Sequence, residues 1–228
     1  MSRNEKFNLI IQLSIPSILA QVTTVLMFYI DAGMVGSLGA EPSAAIGLVE
    51  PATWLFFSLV SAVTMGFSVQ VAHFIGANDF PKARAVMRHG YAFGLCFALF
   101  LLLVTFLIGS RLPVWLGGGA DIQHDATVYF LIFSLIIPFH LIEYMSAAML
   151  KVSGDMRRPS FMAILMCVLD VIFNYFFIFP TRTISLFGME MTMPGLGEGV
   201  AGAALGSLLS FICVALPLAY YAIFRSPI

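Results

Sequence analysis

The chain is predicted to be an all-α membrane protein, a polytopic bundle of about six transmembrane helices. Three observations predict it. Hydrophobic types make up 60% of the 228 residues and charged types only 10%, with a mean hydropathy of +0.97. A soluble domain carries about 25% charged residues, so this surface is mostly covered by lipid. Six apolar stretches reach the length of about 20 residues needed to cross a bilayer core. The basic residues fall on one side of that six-span arrangement.

The stretches run over about 8-34, 44-73, 86-109, 126-150, 160-180 and 199-224, and together they are read as one six-helix transmembrane unit over 1-228. Backbone groups in lipid must pair internally, so only helices and closed barrels span. Barrel strands are about 10 residues of alternating polarity. These runs are longer and do not alternate, which selects helices. The first stretch is too long for a signal-peptide core and is read as a retained helix.

The connectors carry the breakers. Gly36-Ser37-Leu38-Gly39 ends the first helix and Gly76-Ala77-Asn78-Asp79 the second. Gly117-Gly118-Gly119 precedes the fourth. Gly154 fits a cap after the fourth and Pro159 the first turn of the fifth. Residues 181-198 form the longest loop. Pro16 and Pro217 lie inside helices and favour kinks there.

Nine basic residues (Arg3, Lys6, Lys82, Arg84, Arg88, Lys151, Arg157, Arg158 and Arg225) share one side, and Arg111 and Arg182 lie on the other. An even number of spans puts both termini together. The bias predicts a multi-pass inner-membrane protein with cytoplasmic termini. The net charge of -1 gives a nucleic-acid partner no support. Cys96, Cys167 and Cys213 lie in apolar runs and read as packing residues. No histidine cluster suggests a metal, and no cofactor is expected. No nucleophile signature is present, so an intramembrane enzyme is disfavoured.

Acids inside spans are expensive and functional by default. Asp31, Glu50, Glu143 and Asp170 lie within or at the edges of the predicted helices. Such a group survives by facing a water-filled cavity, finding a partner or holding a proton. Asp170 and Asn174 are four residues apart, on one helical face, in a stretch with no basic residue. The alternative for Asp170 is a carboxylic acid bonded between helices with no transport role. Gln21, Thr24, Phe28 and Asp31 make one stripe on the first helix, although Asp31 can also be an end-of-span residue. Glu50 opens the second helix before Pro51. Glu143 has His140 three residues earlier on the same face, and a bond between the two stands beside a transport role. Gly199, Gly202, Gly206 and Ser210 form a small-residue face that permits close helix approach.

Four segments then resemble one family. Tyr29-Ile30-Asp31-Ala32-Gly33-Met34-Val35-Gly36 resembles the end of helix 1 in the N-terminal lobe of the multidrug and toxic compound extrusion (MATE) transporters. Gly76-Ala77-Asn78-Asp79 with Lys82-Ala83-Arg84 resembles their loop 2-3. Leu150-Lys151-Val152-Ser153-Gly154-Asp155-Met156-Arg157-Arg158-Pro159 resembles loop 4-5, and Gly199-Val200-Ala201-Gly202-Ala203-Ala204 the start of helix 6. The order and spacing of the four are more specific than any one.

The resemblance implies one lobe of a two-lobed antiporter that exports cationic amphipathic drugs in exchange for H+ or Na+. It implies a coupling site at Asp31, Asp170 and Asn174. Gln21, Ser207, Glu50 and Glu143 are the accessory cavity positions, Ser207 being matched to the family's helix 6 hydroxyl. An Asp at 170 departs from the family's commoner order and leaves H+ and Na+ both open as coupling ion. A lipid-linked oligosaccharide flippase-like lobe is the alternative, but it needs cavity Lys or Arg for phosphate. Family members carry about twelve helices. The expectation is therefore a fragment, a truncated product inactive alone, or a half-transporter that pairs with a second six-helix lobe or its own copy.

Overall fold

The structure is a computed structural model and describes residues 3–186 and 189–225. Met1 and Ser2 of the basic entry, Phe187 and Gly188 of the long loop, and the last three residues lie outside the described residues. The helices are α1 (Arg3–Gly36), α2 (Ala40–Gly76), α3 (Phe80–Gly109), α4 (Leu112–Trp115), α5 (Gln123–Ser134), α6 (Ile136–Val152), α7 (Arg157–Ile178) and α8 (Gly199–Tyr220). Strands β1 (Pro180–Leu186) and β2 (Met189–Leu196) pair as an antiparallel hairpin between α7 and α8. A π-helical turn, Tyr221–Arg225, ends the described chain. The chain is thus an all-α membrane protein: among the described residues five helices are long and apolar enough to cross, or six with the bent pair α5–α6 counted as one span.

The hairpin occupies the predicted long loop. Arg182 closes its base, stacking on Phe179 at 4.2 Å and bonding the Tyr175 hydroxyl at 2.9 Å. The short α4 lies where only a break was expected.

The predicted span 126-150 is broken. α5 and α6 meet at Leu135 with a 40° bend. Pro138 supplies the reason. It has no N–H for the Ser134 carbonyl four residues back, and its ring clashes with that carbonyl. Ser134 instead turns its hydroxyl onto the Phe130 carbonyl at 2.6 Å. By contrast, α1 and α8 remain helical through Pro16 and Pro217.

The helix ends follow their sequences. Gly154 adopts φ 89°, and the N–H groups of Gly154 and Asp155 return to Lys151 and Leu150, a closed left-handed cap. Asn78 does the same after α2 at φ 58°. Asp79 then caps α3, its carboxylate accepting the Lys82 N–H at 3.2 Å and pairing with the Lys82 ammonium at 2.7 Å.

The interior is assembled from small clusters rather than one large core. Met27, Ile136, Met166, Cys167, Phe211 and Val214 pack together where α1, α6, α7 and α8 meet. The outer faces carry Leu19, Leu55, Leu99, Leu103 and Phe161, all exposed, as a lipid-facing surface requires. Cys167 is buried, while Cys96 and Cys213 are exposed. The closest approach is α7 on α8. A Cβ on Gly202 would fall 2.5 Å from the Phe177 carbonyl carbon, and one on Gly206 would fall 2.8 Å from the Asn174 nitrogen. Only glycine permits this spacing.

Candidate functional site

Close contact between α7 and α8 places Asp170 and Asn174 against α8, with α1 resting mainly on α7. Asp170 is fully buried and Asn174 nearly so. Asn174 Nδ2 donates to Asp170 Oδ2 at 3.0 Å and to Asp31 Oδ1 at 2.9 Å. The second bond joins helices 143 positions apart in sequence. The two carboxyl groups are close enough to feel each other's charge. The structure therefore brings together the three residues Asp31, Asp170 and Asn174 on two helices.

The α8 wall adds hydroxyls. Ser210 Oγ is 3.2 Å from Asp170 Oδ1 and 2.7 Å from the Ser207 carbonyl. A hydroxyl has one proton and two acceptor sites, so Ser210 can donate to either neighbour or accept from a protonated Asp170. Ser207 is buried with its hydroxyl facing Asp170 as well. The geometric bond to Asp170 thus comes from Ser210, one turn beyond the residue expected. Tyr129 of α5 is a second unforeseen neighbour, within electrostatic reach of Asp31, Glu50 and Asp170. The Tyr129 hydroxyl in the apolar run Val128-Tyr129-Phe130-Leu131 was the available signal for it.

The accessory positions scatter. Gln21 is exposed on α1. Glu50 is also exposed, and its Oε1 accepts the Trp54 indole N–H at 3.3 Å. Trp54 in turn packs on Phe28 of the predicted α1 stripe, ring centres 5.1 Å apart. Glu143 lies on α6 beside His140 and does not bond to the Asp31–Asp170 group.

Among the described residues, no Lys, Arg or His forms an ion pair with Asp31 or Asp170. Two carboxylates this close repel when both are charged. A proton on one, or a small cation between them, removes the repulsion. One further acceptor is in place: Asn174 Oδ1 is buried without a hydrogen-bond partner. Turning this amide would offer a carbonyl oxygen alongside two carboxylates and the serine oxygens, an all-oxygen set of the kind hard cations take.

The fold and site together define a polytopic helical membrane protein with an acidic group enclosed between its spans. The family model MatE matches residues 16–176, and the chain belongs to that family, the MATE efflux transporters. It is 25% identical over 215 residues to the probable multidrug resistance protein NorM of Neisseria meningitidis, covering 93% of this chain and 44% of the relative. Against the multidrug export protein MepA of Staphylococcus saprophyticus it is 21% identical over 227 residues, covering 99% and 47%. A structure of an outward-facing multidrug resistance MATE family transporter of the MOP superfamily superposes with a TM-score of 0.82 at 24% identity, over 96% of this chain and 45% of that one. The chain spans about half the length of the curated relatives it matches.

Proposed function

We propose that this chain is the ion-coupling lobe of a secondary antiporter that exports cationic amphipathic drugs in exchange for H+ or Na+. One observation carries the reading: the Asn174 amide joins an acid on α1 to a buried acid on α7. In the empty, charged state the amide donates to both carboxylates. A proton on Asp31 or Asp170 turns an acceptor into a donor, and a sodium ion demands oxygens where the amide N–H now points. Either event rewrites the bond between α1 and the rest of the lobe. α1 is the helix free to respond, since it rests mainly on α7 and its outer face is exposed.

Coupling then works as competition. The ion-loaded and ion-free arrangements hold α1 differently, and a drug that prefers one arrangement is released by the other. Linkage makes the effect reciprocal. The cationic class of substrate is supported by the placement of Lys and Arg, which lie on connectors and helix ends, so an anionic headgroup would find no partner between the spans. A second six-helix lobe or a second copy supplies the opposing wall, and the chain sits in the cytoplasmic membrane with cytoplasmic termini. Binding and exchange need no bond-making catalyst.

The test is drug resistance and dye efflux in cells expressing the protein from its native gene. Asp31→Asn and Asp170→Asn should each reduce ion-driven efflux to the level of cells lacking the gene, at unchanged membrane abundance. Efflux that survives both substitutions would remove the proposed coupling site.

A further inference from the structure

α6 carries a largely covered acid that the Asp31–Asp170 group does not use. Glu143 and His140 lie three residues apart on one helical face, with His140 Nδ1 4.0 Å from Glu143 Oε2 and the side chains only 16% and 13% exposed. The distance fits an ion pair but exceeds a hydrogen bond. His140 Nδ1 is buried and has no hydrogen-bond partner.

The ring is held in place from two sides. Phe57 of α2 stacks on its face, centres 4.4 Å apart and planes at 18°. Phe211 of α8 meets it edge-on at 5.7 Å. Neither is titratable. On α6 itself the Tyr144 ring is 5.6 Å away. From α3, the Tyr91 hydroxyl is committed to Ser146 at 2.7 Å. Lys151 lies two turns along α6, and the charged group that faces His140 is Glu143.

The imidazole nitrogen is withdrawn from water without a hydrogen-bond partner, and the largely covered carboxylate beside it stands beyond hydrogen-bond distance, so each is costly in that state. A single proton satisfies both. We propose that His140 and Glu143 form a second proton-binding site, separate from the Asp31–Asp170 cluster, which holds one proton between Nδ1 and Oε2. The proton comes from water and returns to it, and no other reactant takes part. Loading makes a charge-assisted hydrogen bond, which closes the gap to about 2.7–2.9 Å. The site does not depend on the function assigned to Asp31 and Asp170.

The experiment is 15N NMR of histidine-labelled full-length chain in lipid nanodiscs, titrated from acid to alkaline buffer. His140→Gln assigns the signal among the four histidines. The His140 nitrogens should report uptake of one proton, and Glu143→Gln should move that midpoint by about one pH unit or more without moving the signals of His73, His89 and His124. Infrared spectra of the unsubstituted chain should show a carboxyl change at the same midpoint, which keeps the test open if Glu143→Gln does not fold. Asp31→Asn should leave the His140 titration in place, whatever it does to transport. A His140 signal indifferent to Glu143→Gln, or lost with Asp31→Asn, would overturn the proposal.

Discussion

At the scale of single residues, Asn174 matters as much as the two acids it joins. Its side chain is nearly fully buried and offers the only amide N–H groups the cluster receives among the described residues. Asn174→Leu keeps the volume and removes both bonds. Leaving buried polar groups unpaired costs about 1–3 kcal/mol each, so this variant should unfold at lower temperature in detergent, with a larger loss than Gln21→Leu at an exposed position. Asp79 gives a cleaner pH prediction, because it lies outside the spans. The Lys82 ammonium, and then the Lys82 backbone N–H, hold its carboxyl below the usual range. A depressed folded-state value means a contribution that is complete above the unfolded carboxylate value of about 3.9 and lost as pH falls through the lowered one. Asp79→Ala should therefore lower the unfolding temperature at neutral pH, and the difference from the unsubstituted chain should vanish in strong acid.

At the scale of elements, the α7–α8 contact decides whether the site exists. Gly206 has no room for a methyl group, because its neighbour is the backbone of Asn174 as well as the side chain. Gly206→Ala should push α8 away and displace the amide, destabilising the chain by about 1–3 kcal/mol. Gly66 on α2 has nothing within 4 Å of a built Cβ, so Gly66→Ala should be neutral or stabilising by up to about 1 kcal/mol. Thermal unfolding of the pair measures the contrast. The small-residue face was legible as a spacing of glycines on one helix, but not which helix it would meet. The α5–α6 break is a different case. Pro138 stands openly in the sequence, inside a run whose length and hydropathy read as one span. Pro16 and Pro217 look equivalent on paper, yet their helices continue. Pro138→Ala should restore the missing bond to Ser134 and reduce the 40° bend, read as a lengthened distance between spin labels at the two ends of α5–α6.

At the scale of the molecule, the orientation we propose rests on charge. Cysteines placed at Arg84 and Thr181 in a background without native cysteines should report opposite sides. A membrane-impermeant maleimide should reach position 181 in intact cells and position 84 only after the membrane is opened. Equal labelling at both would overturn the assigned topology. The same division shows in the ion pairs. Asp155–Arg158 and Asp79–Lys82 pair at helix ends, at 2.8 and 2.7 Å, while Asp31 and Asp170 form no ion pair among the described residues.

The sequence by itself determined that the chain is an apolar helical membrane protein and where the acids and their amide fall along the helices. Those properties follow from composition, run length and a period of 3.6 residues, all of which are local. Tertiary structure alone decided that Asp31 on α1 meets Asn174 on α7, that Ser210 faces Asp170 together with Ser207, and that Tyr129 comes within electrostatic reach of the group while Gln21 and Glu50 stay exposed. Each of those outcomes depends on helix rotation and separation. These are set by the packing of distant side chains and by two glycines at a helix crossing, and no single stretch of sequence contains that information.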